Sequence, residues 1–182
     1  MREKEELTFS AADRIVEEVK NRTQAAGKII LFGHSAGGQF VHRWALLGGK
    51  KNVDVIAVAN SGWFTMPDRD IDYPYGIKNV GITDEELGEA FAEPVILFMG
   101  EKDVERKPPF RDTPEADAQG MNRMERCTNY FRQCKAKAEE LKVPFRWKLE
   151  TVEGAAHQGV KMAEGAAAYI FGKSSEDGNR RV

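Results

Sequence analysis

The order of apolar runs and helical segments most strongly constrains how this chain can fold. Four short apolar runs are predicted to be β-strands, and they cover residues 28–33, 52–59, 94–99 and 145–152. Segments of helical pattern separate these runs, and strands joined by helical crossovers pair in parallel. The sequence therefore predicts an α/β fold in which about four parallel strands have helices on both faces. One domain is expected over residues 1–171, followed by a disordered polar tail over residues 172–182.

Helices are predicted from apolar spacing and from capping residues. They cover residues 10–27, 39–47, 114–141 and 160–171, with a further short helix capped by Thr83 and Glu86. Ser10, with Asp13 three residues later, is expected to cap the first helix. The apolar stripe predicted for that helix consists of Ala12, Ile15, Val16 and Val19.

The first predicted strand differs from the last. Residues 29–32 are apolar on both faces, as in the middle of a parallel sheet, whereas residues 145–152 alternate as at a sheet edge. The fold is therefore expected to be truncated and to lack the strands that would precede residue 28. Because an apolar edge invites pairing, we expect a homodimer through the open edge of the first strand. Pairing with a separate amino-terminal fragment is the alternative.

A glycine- and serine-containing turn follows the first strand. Residues 33–37 read G-H-S-A-G, which matches G-x-S-x-G, and the motif lies between a strand and a helix as a nucleophilic serine on a tight turn requires. Gly33 and Gly37 are expected to let the strand and helix approach closely. The alternative is a glycine-rich helix start that packs tightly or binds phosphate, as in a nucleotide-binding domain. No lysine follows these glycines and no G-x-G-x-x-G spacing occurs, which disfavours nucleotide binding.

A serine nucleophile needs a base, and the chain has three histidines. His34 and His42 lie on the serine's own strand and helix, where a structural role is the simpler interpretation. His157 follows the last strand, at the edge where active sites of α/β proteins form. The sequence therefore predicts that His157 is the general base for Ser35.

The base in turn needs a carboxylate that orients it. Asp103 lies just past the third strand and completes the chain order serine, aspartate, histidine. Three aspartates after the second strand compete with it, namely Asp68, Asp70 and Asp72. The position directly after the third strand favours Asp103 as the orienting acid.

With these residues in place, the chain resembles the carboxyl-terminal half of an α/β-hydrolase-fold serine hydrolase. More narrowly, it resembles bacterial poly(3-hydroxybutyrate) depolymerase-like hydrolases in residues 33–43, 60–67 and 73–76 and in the loops of Asp103 and His157. The resemblance implies Ser35 as nucleophile, Asp103 as orienting acid, His157 as base and the backbone N–H of Ala36 as one oxyanion donor. It also implies an esterase that cleaves a carboxylic ester through an acyl-enzyme, with no cofactor and no metal.

Members of the family have strands before the nucleophile strand, and a loop after one of them supplies the second oxyanion donor. Nothing before Ser35 in this sequence supplies it. Loss of one such donor typically slows an enzyme about 10²- to 10³-fold, so a weak catalyst is expected. The alternative function is a catalytically impaired hydrolase-fold fragment that acts as an assembly or binding module.

Several other residues have two interpretations. Trp63 and Phe64 follow the second strand and are predicted to line a substrate pocket, with ordinary core packing as the alternative. A basic stretch could meet a substrate carboxylate, although a solvated loop is the default, and it consists of Arg106, Lys107, Arg111 and Arg123.

Composition narrows the range of partners. The 27 basic and 29 acidic residues nearly balance, which gives no reason to expect nucleic acid or an anionic membrane. The expected partner is a small-molecule or oligomeric ester. No run approaches the 18 apolar residues of a membrane span and no export signal is visible, so a cytoplasmic location is the default expectation. Cys127 and Cys134 lie about 10 Å apart along one predicted helix and cannot form a disulfide with each other.

Overall fold

A computed structural model describes residues 9–23, 27–48 and 52–177. The four strands within these residues are β1 (Ile30–His34), β2 (Val55–Ala59), β3 (Val95–Gly100) and β4 (Lys148–Val152). The helices are α1 (Phe9–Thr23), α2 (Ala36–Leu47), α3 (Asp84–Ala92), α4 (Pro114–Asp117), α5 (Arg123–Glu140) and α6 (Gly159–Asp177). Every strand is followed by a helix, as the sequence pattern predicts.

The strands form one parallel sheet in the order β1-β2-β3-β4. On one face, Trp44 of α2, Phe91 of α3 and Tyr130 of α5 belong to one buried cluster. On the other face, Met162 and Ala166 of α6 pack against β2 and β3. The predicted fold, a parallel sheet with helices on both faces, is confirmed.

The carboxyl ends of all four strands lie along one edge of the sheet. Because the strands are parallel, the segments that follow β1, β2, β3 and β4 all leave the sheet on the same side. In register, Gly33 of β1 lies beside Val58 of β2, which lies beside Leu97 of β3. The residues at the ends of these strands are therefore close in space.

Strand β1 lies at the edge of the sheet, and its second side has no partner strand within the described residues. The carbonyl of Ile29 accepts a hydrogen bond from the amide of Asp54, and the amide of Ser35 donates to the carbonyl of Ala59, so the odd-numbered residues bond towards β2. Because the backbone groups of successive strand residues point to opposite sides, those of Ile30 and Phe32 point away from the sheet. Both are half-buried, whereas β2 is almost fully buried. The homodimer expected at this edge stays a prediction.

The predicted helix over residues 114–141 is two helices in the structure. Gly120, between α4 and α5, has φ of +146°, and a Cβ there would lie 2.7 Å from Cβ of Glu125. This turn requires glycine, and it separates the two helices. The buried thiols of Cys127 and Cys134 lie on α5 and are not disulfide-bonded, as predicted.

Three further expectations need correction. Helix α1 begins at Phe9, so Ser10 lies inside it rather than at its cap. The predicted stripe is only partly buried: Val16 faces the core, but Ile15 and Val19 are 63% and 47% exposed. Helix α6 continues to Asp177, past the start of the predicted disordered tail, and residues 178–182 lie outside the described residues. No helix in the described part of the chain is both long enough and apolar enough to cross a membrane.

Candidate active site

Ser35 occupies the turn between β1 and α2. Its backbone has φ of 55° and ψ of −115°, a conformation that residues other than glycine rarely adopt. Hydrogen bonds hold the turn on both sides: the amide of Ser35 donates to the carbonyl of Ala59, and its carbonyl accepts from the amide of Gln39, each at 3.0 Å. The strained turn presents the serine hydroxyl at the carboxyl edge of the sheet.

Close packing of α2 against the sheet depends on two glycines. A Cβ on Gly33 would lie 2.4 Å from the carbonyl oxygen of Gly37, so this glycine lets β1 approach α2. A Cβ on Gly38 would lie 2.6 Å from Oγ of Ser61 and 2.9 Å from the carbonyl oxygen of Ala59, so this glycine lets α2 approach the end of β2. A Cβ on Gly37 would meet nothing within 4 Å, so the close approach expected there is wrong.

The structure brings Ser35, His157 and Asp103 into contact. Nε2 of His157 lies 2.9 Å from Oγ of Ser35, and Nδ1 of His157 lies 2.7 Å from Oδ2 of Asp103. Since a carboxylate only accepts, Nδ1 of the neutral ring donates to it, which leaves the lone pair of Nε2 facing the serine hydroxyl. Such an arrangement can remove a proton from Ser35.

The competing aspartates have other partners. A carboxylate oxygen of Asp68 accepts from the amide of Asp70 at 2.8 Å, and Asp72 lies 3.6 Å from Nζ of Lys78. Both contacts are within the loop after β2. Asp103 is the carboxylate that reaches His157.

Asn60 connects the loops that hold the acid and the base. Its Nδ2 donates to the carbonyl of Ala156 at 3.0 Å, and its Oδ1 accepts from the amide of Gly100 at 2.8 Å. Gly100 ends β3, just before Asp103, and Ala156 precedes His157. No motif or spacing in the sequence marks Asn60 as part of the site; the available signal is an asparagine directly after a buried strand, a residue type that can adopt the φ of 45° found at this bend.

The other two histidines have different surroundings: His34 lies next to His157, and His42 lies in the core. The ring of His34 is 4.7 Å from that of His157, and burial, followed by the proximity of His157, lowers the pKa of His34. His42 is fully buried; its Nδ1 donates to the carbonyl of Gly38 and its Nε2 accepts from the amide of Thr65, each at 3.0 Å. Burial lowers the pKa of His42 to about 3, so this ring is neutral at physiological pH.

The predicted pocket residues differ from one another in the structure. Phe64 is fully buried and stacks on Tyr130 with ring centroids 4.5 Å apart, which agrees with the alternative of core packing. Trp63 is 6% exposed, with Cζ of Arg43 and Arg111 at 4.9 and 5.6 Å from its ring centroid. A substrate contact for either residue stays a prediction.

The basic stretch is mostly paired within the protein. Arg106 contacts Asp117 at 2.9 Å, and Nε of Arg111 donates to the hydroxyl of Tyr75. Arg123 is buried against Asp103. The default expectation of a solvated loop is therefore wrong for Arg123.

Two features could receive a ligand. The amide of Ala36 is at the amino terminus of α2, where it has no acceptor within the helix. A cleft of about 420 Å³ lies beside His157 and is lined also by Lys102, Pro108 and Ala156. In the described parts of the chain, no group of three or more histidine, cysteine, aspartate or glutamate residues could hold a metal ion.

The chain is similar in fold and sequence to hydrolases of known structure. Poly(aspartic acid) hydrolase-1 from Sphingomonas sp. KT-1 superimposes with a TM-score of 0.84 and 31% identity, over 90% of this chain and 63% of that one. LpqC, a poly(3-hydroxybutyrate) depolymerase from Bordetella parapertussis, superimposes with a TM-score of 0.82 and 30% identity, over 91% of this chain and 57% of that one. The chain thus spans less than two thirds of either protein's length. No family model matches it, and no curated protein matches it.

Proposed function

Because this chain has the α/β-hydrolase fold that its sequence indicated, we propose that it is a serine hydrolase that cleaves a carboxylic ester. Ser35 is the nucleophile, His157 the general base and Asp103 the acid that orients His157. The main support is the continuous contact from Oγ of Ser35 through His157 to Asp103, at 2.9 and 2.7 Å. These distances are those that general-base activation of a nucleophile requires.

The proposed reaction has two acyl transfers. Oγ of Ser35 attacks the ester carbonyl while Nε2 of His157 takes its proton, and Asp103 stabilises the imidazolium that forms. The tetrahedral intermediate collapses when His157 returns the proton to the alcohol, which leaves an acyl group on Ser35. Water then attacks this acyl-enzyme by the same route and releases the acid.

The oxyanion of the intermediate accepts a hydrogen bond from the amide of Ala36. The positive end of α2 lies at the same point and favours the negative charge. Within the described residues, no loop from an earlier strand supplies a second donor. Since one donor is worth about 10²- to 10³-fold in rate, we expect slow turnover from this chain alone.

The two related hydrolases indicate two substrate classes. One is named for poly(3-hydroxybutyrate), which is a polyester, and the other for poly(aspartic acid), which is a polyamide. An oligomeric ester of a small hydroxy acid is the substrate to test first, because an ester is the more readily cleaved of the two linkages. An amide of a small acid is the second substrate to test.

The test is covalent labelling of Ser35. The protein is incubated with a fluorophosphonate and its intact mass is measured; one adduct is expected on the parent chain and none on Ser35→Ala. Ser61→Ala is the matched control, because Ser61 is also near the carboxyl edge but its Oγ is buried without a hydrogen-bond partner. It should be labelled like the parent.

An unlabelled parent chain would overturn the proposal. That result would favour the alternative, a hydrolase-fold fragment that binds or assembles without catalysis. Turnover of a short-chain aryl ester, measured with the same variants, then tests whether the labelled serine also deacylates.

A further inference from the structure

Arg123, the first residue of α5, is buried behind the acid of the proposed triad. Its side chain is 4% exposed and the side chain of Asp103 is 3% exposed. Nη1 of Arg123 lies 3.1 Å from Oδ1 of Asp103, while the other carboxylate oxygen contacts His157. The carboxylate of Asp103 is therefore shared between a permanent cation and the base.

The remaining contacts of Arg123 fix its position. Its Nη2 donates to the carbonyl of Pro109 at 2.8 Å, and its Cζ lies 5.0 Å from the ring centroid of Phe110. Its Nη1 also lies 3.5 Å from the carbonyl oxygen of Glu105, while its Nε is buried without a hydrogen-bond partner. The two carbonyls and the ring hold the guanidinium, and Asp103 is the charged group that it contacts.

The charged groups near Asp103 and His157 differ in exposure, and Arg123 is buried. From the loop after β3 come Lys102, Glu105 and Lys107, which are exposed, and the last two pair with each other at 2.9 Å. His34 faces the pair from β1, and burial holds its pKa low. Solvent screens exposed charges far more than buried ones, so Arg123 dominates the field at the acid.

On the basis of the proposed function, we propose that Arg123 is a positioning residue for the acid: it holds Asp103 in place and sets the pH at which Ser35 becomes reactive. The positional effect comes from the contact to Oδ1, which leaves Oδ2 directed at His157. The electrostatic effect comes from the positive charge, which offsets part of the attraction between Asp103 and a protonated imidazole ring. Loss of this charge makes protonation of the base easier, so activity requires a higher pH.

The test is the pH dependence of fluorophosphonate labelling of Ser35, measured as a second-order rate from pH 5 to 9. In Arg123→Met, the acidic limb of this profile is expected to move to higher pH, because the buried positive charge 3.1 Å from Oδ1 of Asp103 is lost. Arg123→Lys keeps the charge, and its acidic limb should stay close to that of the parent. A purely structural role would lower the rate without moving the limb.

Arg106→Met is the matched control. Arg106 packs on the ring of Phe110 as Arg123 does, but it contacts Asp117 rather than Asp103. Its variant removes one nearby positive charge and should leave the limb in place.

Three outcomes decide the inference. A folded Arg123→Met variant whose limb coincides with the parent's would overturn it, as would an equal shift in Arg106→Met. If Arg123→Met does not fold, a limb displaced in Arg123→Lys would overturn it, because that variant retains the charge. An unlabelled parent chain would instead overturn the proposed function itself.

Discussion

The two sides of Ser35 are built differently. On the acid–base side, Asp103 and His157 follow β3 and β4, and Asp103 is 3% exposed with partners on both oxygens. On the nucleophile side, β1 is half-buried at the sheet edge, and Ala36 is the one oxyanion donor of the proposed mechanism. The comparison teaches that, in the proposed mechanism, proton transfer and charge stabilisation depend on different parts of the fold. The described residues contain every group proposed for proton transfer, whereas for the oxyanion they contain one proposed donor at the edge of the sheet.

The largest expected effect is on the acid–base side. Asp103→Asn should slow labelling of Ser35 about 10⁴-fold, because the amide no longer holds His157 in the productive tautomer. Labelling rates at one pH test this. Asp68→Asn, in the loop after β2, is the control and should label at the parent rate; comparable rates for both variants would remove Asp103 from the mechanism.

The next effect probes packing on the nucleophile side. Gly33→Ala should destabilise the fold by about 3 kcal/mol, because its Cβ would lie 2.4 Å from a backbone oxygen that cannot rotate away. Gly37→Ala, within the same motif, should change stability by less than about 1 kcal/mol. Urea unfolding distinguishes them. Equal losses would mean that the tight contact between β1 and α2 does not limit stability.

A smaller effect concerns His42, which ties α2 to the segment after β2. Its folded-state pKa of about 3 lies below the ordinary 6.5. As the pH falls below 6.5, His42 is therefore protonated in the unfolded chain while it stays neutral in the folded protein. The stability from the neutral ring is complete above pH 6.5 and decreases by about 1.4 kcal/mol per pH unit as the pH falls towards 3.

Urea unfolding at pH 7.5 and pH 4.5 measures this loss. His42→Gln can still donate to Gly38 and accept from Thr65, but its amide does not titrate. It should lose less stability than the parent between the two pH values. An identical loss would show that other groups determine the acid sensitivity.

The last prediction concerns the mass of the particle in solution, which should be that of two chains if the homodimer forms. If a second copy pairs with the open edge of β1, sedimentation should show two 20.4 kDa chains together. Ile30→Pro should return the mass to that of one chain, since proline removes the outward backbone N–H that a second strand would bond. Ester turnover per chain that rises with dimer content would mean that the second copy supplies what the nucleophile side lacks. A single-chain mass at all concentrations would exclude the homodimer.

Sequence reasoning identified the residues that follow strands. Ser35, Asp103 and His157 each come after an apolar run, and parallel strands bring such positions to one edge. The same reasoning could not distinguish Phe64 in the core from a pocket wall, because both environments favour an aromatic residue. It also joined α4 and α5 into one helix over residues 114–141, because the helical spacing after Gly120 was extended back to Pro114 and a single glycine does not by itself mark a break.

Asn60 and Arg123 were missed as parts of the site for a different reason. Their roles arise from tertiary contacts with groups 20 to 96 positions away in the chain. A single asparagine after a strand, or one arginine in a basic stretch, has no periodicity or spacing that marks such a contact. Only the folded arrangement identifies them.

The bridge made by Asn60 has a mechanical consequence. One carboxamide fastens the end of β3 to the segment before His157, so a thermal displacement of either segment moves the other with it. The serine turn is tied to the same point, because the amide of Ser35 donates to the carbonyl of Ala59, the residue before Asn60. We therefore expect the three segments that carry nucleophile, base and acid in the proposed mechanism to move together, and loss of this one carboxamide to loosen all three distances at once.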